Sequence, residues 1–197
     1  INCPGAGGSI DGYQNKYLKL ADYMVDQGLG AVVRMSDPYN PFGWDVCLRH
    51  VIAYVLENSQ DICGSATPII YLMGASAGAS AITLLAWEYP EVKKILLLEP
   101  VAKLDTKRIT ECLGRYTGEI VVITGGRGIS LGPESGALFI SLCTQALRKE
   151  LITFDECDHY FSGEKHSRMI SQAPFYAFSD TPPAPFPDYT GGIVLYS

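Results

Sequence analysis

Residues 69–78 read Ile-Ile-Tyr-Leu-Met-Gly-Ala-Ser-Ala-Gly, an apolar run that passes directly into a cluster of small residues. The apolar run has the length and composition of a buried strand. Residues 79–88 are typical of a helix rich in small side chains, and Pro90 ends it. Between them, residues 74–78 match Gly-x-Ser-x-Gly, the nucleophile elbow, at a strand-to-helix turn. Such a turn projects the Ser76 hydroxyl above the sheet at a helix N-terminus, where N–H groups can stabilise an oxyanion. A tight helix entry without chemistry is the alternative.

Short apolar segments alternate with amphipathic segments on both sides of this turn, which is the pattern of a parallel α/β sheet. The sequence predicts one α/β domain over residues 1–197, with a mostly parallel sheet and helices on both faces. The predicted strands span 31–33, 69–73, 94–98, 120–124 and 151–154, and the predicted helices lie near 13–24, 45–57, 79–88, 107–113 and 135–147.

The C-terminal segment, residues 173–197, is rich in proline. Five of the 12 prolines fall between Pro174 and Pro187. We expect this segment to be an extended tail that is packed on the domain by its aromatic side chains. Those side chains are Phe175, Tyr176, Phe178 and Phe186.

Charge and hydropathy exclude several classes of partner. The net charge is −6 and the pI is about 5.0, which disfavours nucleic acids and anionic membrane surfaces because phosphates would repel the chain. No apolar run approaches the roughly 18 residues of a membrane span. The partner expected is therefore a small molecule, and the sequence does not indicate an oligomeric state.

Six cysteines are spread along the chain at positions 3, 47, 63, 112, 143 and 157. Their wide spacing favours buried thiols in a cytoplasmic protein over a disulfide framework, with one or two bridges in an exported protein as the alternative. No Cys-x-x-Cys or Cys-x-x-His pair indicates a metal site. Because the chain starts at Ile1 without an initiator methionine, we expect it to begin partway through a longer protein or after processing.

A serine hydroxyl needs a base, and the three histidines differ in their suitability for that role. His159 follows the last predicted strand, at the sheet edge where the elbow also opens. His50 lies inside a predicted helix, and His166 lies in a charged stretch at 164–168. We therefore predict His159 as the base, with an exposed loop histidine as the alternative.

The oxyanion hole requires two backbone donors. The first is the N–H of Ala77, directly after the nucleophile. The second should come from the loop at residues 4–9, Pro-Gly-Ala-Gly-Gly-Ser, through Ala6 and Gly7. Glycine lets the backbone turn its N–H groups inward with no side chain in the way. This loop could equally cradle a phosphate, but the absence of a Gly-x-Gly-x-x-Gly match disfavours a dinucleotide.

Taken together, the glycine loop at 4–9, the elbow at 74–78 and the histidine loop at 155–161 resemble the α/β-hydrolase family. The resemblance is to its small esterases, lipases and dienelactone hydrolases, and it covers nearly the whole chain. The order of serine before histidine matches the family. Two strands that the family has at its start are not found, so we expect the N-terminal strands to be missing from this chain.

The acid of the triad is where the sequence departs from the family. The family commonly places an aspartate in the loop after the strand at 120–124, and Gly128 occupies that place here. Some relatives carry the acid after the preceding strand, which corresponds to Glu99. Glu134 is the second choice and Asp155 a poorer third. The sequence also leaves open that another residue is the acid, or that the chain has no acid in this role.

The resemblance implies a serine hydrolase that cleaves a carboxylic ester or related acyl bond through an acyl-enzyme on Ser76, with no metal or organic cofactor required. A thioesterase, acyltransferase or peptidase would use the same machinery. The rival of a different class is a hydrolase-like binding or scaffolding protein with impaired catalysis, which the glycine at position 128 favours. Neither the natural substrate nor the acyl-chain length follows from the sequence.

Overall fold

The computed structural model describes residues 1–39, 43–101, 106–126, 132–181 and 193–196, with residues 132–133 and 193–196 described as backbone only. Within these ranges one six-stranded sheet has its strands in sequence order. The first five are parallel and the sixth is antiparallel to the fifth. The strands are β1 (Asn2–Cys3), β2 (Ile70–Ala75), β3 (Val92–Leu98), β4 (Glu119–Gly125), β5 (Arg148–Phe154) and β6 (Ile193–Tyr196).

Helices connect the parallel strands, as each crossover between parallel neighbours requires. They are α1 (Lys16–Asp26), α2 (Trp44–Glu57), α3 (Ser59–Cys63), α4 (Ala77–Leu85), α5 (Thr106–Leu113), α6 (Gly132–Leu142) and α7 (Glu164–Phe178). Two single 3₁₀ turns, Tyr13–Asn15 and Ala86–Glu88, adjoin α1 and α4. No helix in the ranges given above is both long and apolar enough to cross a bilayer.

The two faces of the sheet build two separate cores, because successive side chains of a strand point to opposite faces. On β3, Ile95 and Leu97 face a core made with α2, α4, α5 and α6. Leu96 and Leu98 face the other core, made with α1 and α7. The strands are therefore apolar on both faces, as parallel sheets usually are. The predicted parallel sheet with helices on both faces is confirmed.

The register brings three strand ends to one edge of the sheet. Ala75 of β2 pairs with Leu98 of β3, and Leu98 pairs with Ile123 of β4. Ser76 and Glu99, the residues that follow β2 and β3, therefore lie side by side at that edge. This alignment positions the site described below.

Residues 31–33 do not form the predicted buried strand. They are exposed or half-buried, and the segment meets the sheet only through a parallel bridge between Arg34 and Asn2. The bridge consists of the Asn2 N–H to Val33 O bond (2.8 Å) and the Met35 N–H to Asn2 O bond (3.2 Å). Because β1 has only two residues, it offers too short an edge for a longer ladder.

The C-terminal prediction is also corrected. Residues 164–178 form α7, so 173–178 are helical rather than extended, despite Pro174 in the helix interior. The helix buries Met169, Ala173 and Phe178 against the sheet, and this burial offsets the cost of the proline. Tyr176 is also buried and Phe175 is half-buried, whereas Phe186 lies outside the described residues.

Helix α6 ends earlier than predicted, at Leu142 rather than near 147. None of the six cysteines is paired in a disulfide. Cys3, Cys143 and Cys157 are buried as predicted, whereas Cys47 and Cys112 are half-buried and Cys63 is exposed.

Candidate active site

Ser76 sits in a strained turn between the last residue of β2 and the first residue of α4. Its φ is 50° and its ψ is −115°, values that a non-glycine residue rarely adopts. Its N–H donates to Leu98 O (2.8 Å), and its carbonyl accepts the Ser80 N–H (3.1 Å). Backbone hydrogen bonds to β3 and α4 thus hold Ser76 in this strained conformation.

The small residues around Ser76 allow three backbones to meet closely. A Cβ added to Gly78 would lie 2.3 Å from Pro4 O and 2.6 Å from Cys3 O. A Cβ added to Gly74 would lie 2.8 Å from the backbone nitrogen of Ala79. Glycine at both positions is therefore required by backbone contacts, and the loop after β1 lies directly against the elbow.

Ser76 and His159 line the same cleft, which has a volume of about 690 Å³. The cleft is bounded by the glycine loop after β1, by α1 and by α7. A second, mainly apolar cavity of about 230 Å³ lies under α1 at the β1 edge and contains neither residue.

Glu99 is the carboxylate that the structure places next to His159. Its Oε2 lies 3.1 Å from His159 Nδ1, and its side chain is only 1% exposed. The N–H of Gly125 donates to Glu99 Oε1. The backbone of Glu99 is itself held at φ 47°, with its N–H bonded to Ile123 O at 2.8 Å. A buried carboxylate fixed at both oxygens can orient an imidazole ring and stabilise its charged form.

The other two candidate acids lie elsewhere. Glu134 is exposed on the first turn of α6, and Asp155 is exposed just after β5. Neither lines the cleft that holds Ser76. Position 128, where the family commonly has its aspartate, lies outside the described residues.

One predicted oxyanion donor has to be corrected. The N–H of Gly7 donates to Asp37 Oδ2 and is therefore not free to bind a substrate oxygen. Ala6 lines the cleft, and Ala77 is the first residue of α4, so its N–H has no acceptor within the helix. The donors that remain are those of Ala6 and Ala77.

Solved structures show which fold this arrangement belongs to. The chain is similar to Est1E from Butyrivibrio proteoclasticus, with a TM-score of 0.68, 16% identity, and coverage of 88% of this chain and 83% of that one. The same protein with ferulic acid bound gives a TM-score of 0.65, 16% identity, and coverage of 88% and 84%. This chain has the α/β-hydrolase fold. The esterase domain of a Rhodothermus marinus protein is also similar, with a TM-score of 0.64, 13% identity, and coverage of 86% and 82%. No protein-family profile and no curated protein matches the chain in sequence.

Sequence reasoning missed Asp37, which is hydrogen-bonded to the glycine loop after β1. Besides the Gly7 N–H, its carboxylate accepts the Tyr39 N–H (2.7 Å), and its own N–H donates to Gly8 O (2.8 Å). The residue is 8% exposed. The only local signal was an aspartate before a proline in a turn-rich stretch, which indicates a turn and does not reveal a partner 30 residues earlier.

Asp158 supports the loop that carries His159. Its Oδ1 accepts the backbone N–H groups of Ser162 and Tyr160, each at 3.0 Å. The hydrogen bonds from Ser162 lower the pKa of Asp158, because they favour its charged form. The carboxylate therefore closes this loop while Glu99 orients the ring.

Proposed function

We propose that the chain is a serine hydrolase that cleaves a carboxylic ester or related acyl bond, with Ser76 as nucleophile, His159 as base and Glu99 as acid. The observation that carries the proposal is the hydrogen bond between His159 and the buried Glu99 carboxylate, in one cleft with a serine in a strained strand-to-helix turn. A base oriented by a third group, in one cleft with a nucleophile, is the arrangement that activates a serine hydroxyl.

The proposed reaction has two halves. Ser76 Oγ attacks the acyl carbon while His159 Nε2 takes its proton, and the carbonyl oxygen becomes an oxyanion held by the N–H groups of Ala6 and Ala77. Glu99 accepts a hydrogen bond from the Nδ1–H of His159 and, by staying ionised, stabilises the imidazolium. The imidazolium then protonates the leaving alcohol, which departs and leaves the acyl-enzyme. Water attacks this ester with His159 again as base, which releases the acid and restores the serine.

The names of the similar structures favour an ester over other acyl bonds, since Est1E and the Rhodothermus marinus domain are named as esterases. At 13–16% identity this likeness is to the fold, so it supports the reaction class and not the substrate. A thioesterase or an acyltransferase would use the same residues.

The binding-protein alternative rested on glycine at the family's usual acid position. The contact of Glu99 with His159 speaks against it, because this carboxylate supplies the missing group from the preceding strand. A binding protein would have no need of a buried acid that fixes the ring of a histidine.

The test is covalent labelling by a fluorophosphonate probe, followed by mapping of the modified peptide. We expect the wild type to be labelled on Ser76 and Ser76→Ala to be unlabelled, since alanine also fits the elbow and leaves the fold intact. Ser141→Ala is the matched control, because Ser141 is exposed on α6, outside the cleft. Wild type and Ser141→Ala should hydrolyse p-nitrophenyl acetate, and Ser76→Ala should not. Equal labelling of Ser76→Ala and wild type would overturn the proposal.

A further inference from the structure

One lysine is found among the described residues that line the proposed active-site cleft. Lys16, the first residue of α1, lines the cleft together with Ser76 and His159. Its Nζ lies 5.0 Å from the centroid of the Tyr17 ring. A Cβ added to Gly12 would lie 2.8 Å from Lys16 Cγ, so the stem of the lysine packs closely on the preceding turn. The stem of Lys16 therefore contacts the preceding turn, and its ammonium group lies beside the Tyr17 ring.

This ammonium group has no acidic partner among the residues that the structure describes. No described carboxylate lies within ion-pair distance of Lys16 Nζ, whereas nearby Arg34 is paired with Asp11. Among the residues that the structure describes, Glu99 is the one carboxylate that lines the cleft, and it is bonded to His159 and to Gly125. The remaining described side chains of the cleft wall are apolar or neutral hydroxyl groups, apart from His159.

Desolvation by the surrounding protein lowers the pKa of Lys16, although the residue is exposed. Water is thus partly removed from the ammonium group, and no carboxylate in the described part of the chain takes its place. An anionic ligand would restore the missing interaction through a charge-assisted hydrogen bond. The protein as a whole carries a net charge of −6, so this positive charge in the cleft is a local feature and not part of a basic surface.

We propose that Lys16 binds a carboxylate of the substrate, so that the ester cleaved at Ser76 carries a negative charge on its acid part or its alcohol part. This inference rests on the proposed function and narrows it from esters in general to esters of dicarboxylic acids or of hydroxy acids. Lys16 is then a specificity-determining residue of the cleft.

The test compares charged esters with neutral isosteres of the same size. Monoethyl adipate and its terminal amide differ only in a charge on the acid part. The 4-acetoxybenzoate anion and 4-acetoxybenzamide differ only in a charge on the alcohol part. Hydrolysis is followed by chromatography, and kcat and KM are determined separately. The pair that shows the preference identifies the part of the substrate that Lys16 contacts.

For at least one pair, we expect the wild type to prefer the anion by about 10- to 100-fold in kcat/KM, the range of a hydrogen bond to a charged group. Lys16→Met should abolish that preference through KM and leave the neutral esters within about twofold. Lys16→Arg should keep most of the preference, since it keeps the charge. Lys19→Met is the matched control, because Lys19 is exposed on the same helix, outside the cleft, and carries the same charge.

Binding in the absence of turnover separates this inference from the proposed function. Ser76→Ala and the double variant Ser76→Ala/Lys16→Met are titrated with each ester by calorimetry. Tighter binding of the anions, lost in the double variant, supports the Lys16 site even if the wild type hydrolyses no ester. Equal binding of anion and amide by Ser76→Ala, or an equal fall for both members of each pair in Lys16→Met, would overturn it.

Discussion

Changing Glu99 to glutamine tests the proposed acid with little change in shape. The glutamine carbonyl can still accept the N–H of Gly125, but its NH₂ group then faces His159 Nδ1 as a donor. That donor favours the tautomer with the proton on Nε2, where the imidazole cannot accept the proton of Ser76. The variant therefore removes the charge and also favours the wrong tautomer.

The size of the loss follows from the burial and the distance. Because Glu99 is 1% exposed and 3.1 Å from Nδ1, its charge acts on the imidazolium with little screening. Two unit charges ~4 Å apart attract by about 4 kcal/mol at an effective dielectric constant of about 20. At about 1.4 kcal/mol for each factor of ten, this corresponds to roughly 10³ in rate. The wrong tautomer raises the loss toward the ~10⁴ seen for the equivalent change in a serine protease.

The assay is steady-state hydrolysis of p-nitrophenyl acetate, with kcat and KM determined separately. We expect Glu99→Gln to lower kcat by about 10³- to 10⁴-fold with little change in KM, because the acid does not touch the substrate. Glu134→Gln is the control and should keep wild-type kcat. A Glu99→Gln enzyme within about threefold of wild type, or the opposite ranking of the two variants, would refute the reasoning.

Three further outcomes can be checked. Gly78→Ala should lower the free energy of unfolding, measured in urea, by about 1–3 kcal/mol. The added Cβ would lie 2.3 and 2.6 Å from the backbone oxygens of Pro4 and Cys3. Unchanged stability would mean that the loop after β1 does not contact the turn at Ser76. Asp37→Ala removes the carboxylate that accepts the Gly7 and Tyr39 N–H groups, and hydrogen bonds to a charged group are worth about 1.5–3 kcal/mol. If this loop holds the oxyanion donor, kcat should fall by about tenfold or more. An unchanged kcat would show that the loop at residues 4–9 holds its shape without this carboxylate. Iodoacetamide at pH 8 should modify exposed Cys63 and spare buried Cys157. Burial raises the pKa of Cys157 to about 12, so almost no thiolate is present at that pH. Peptide mapping that finds Cys157 modified first would contradict this.

Sequence alone was sufficient where the signal lies within one element and its neighbours in the chain. The run at 69–78 predicted β2, the turn and α4, because strand composition, small residues and helix composition follow one another without a break. The same holds for α2, predicted at 45–57 and found at Trp44–Glu57. The prediction of Ser76 as nucleophile depended on this local context, and the turn geometry at Ser76 agrees with it.

Local signals misled the prediction at two places. Proline content predicted an extended segment from residue 173, yet α7 continues to Phe178 because its apolar side chains are buried against the sheet. Residues 31–33 have a strand-like composition, but β1 beside them is two residues long and offers almost no edge to pair with. In both cases the secondary structure depends on contacts with a segment that lies elsewhere in the chain.

The strand-to-helix turn at Ser76 and the alternating α/β pattern were thus determined by the sequence itself, since short-range backbone preferences and the periodicity of apolar residues are enough to specify them. Only the tertiary structure showed that Glu99, and not Glu134, contacts His159. It also showed that the Asp37 carboxylate accepts the Gly7 N–H. Glu99 and His159 are 60 residues apart in the chain, and only the parallel register of β3, β4 and β5 brings the ends of these strands to one edge. Hydrogen bonds between residues so far apart in the chain require the backbone to be placed to within about an ångström. That placement depends on the whole fold and not on the sequence near either residue.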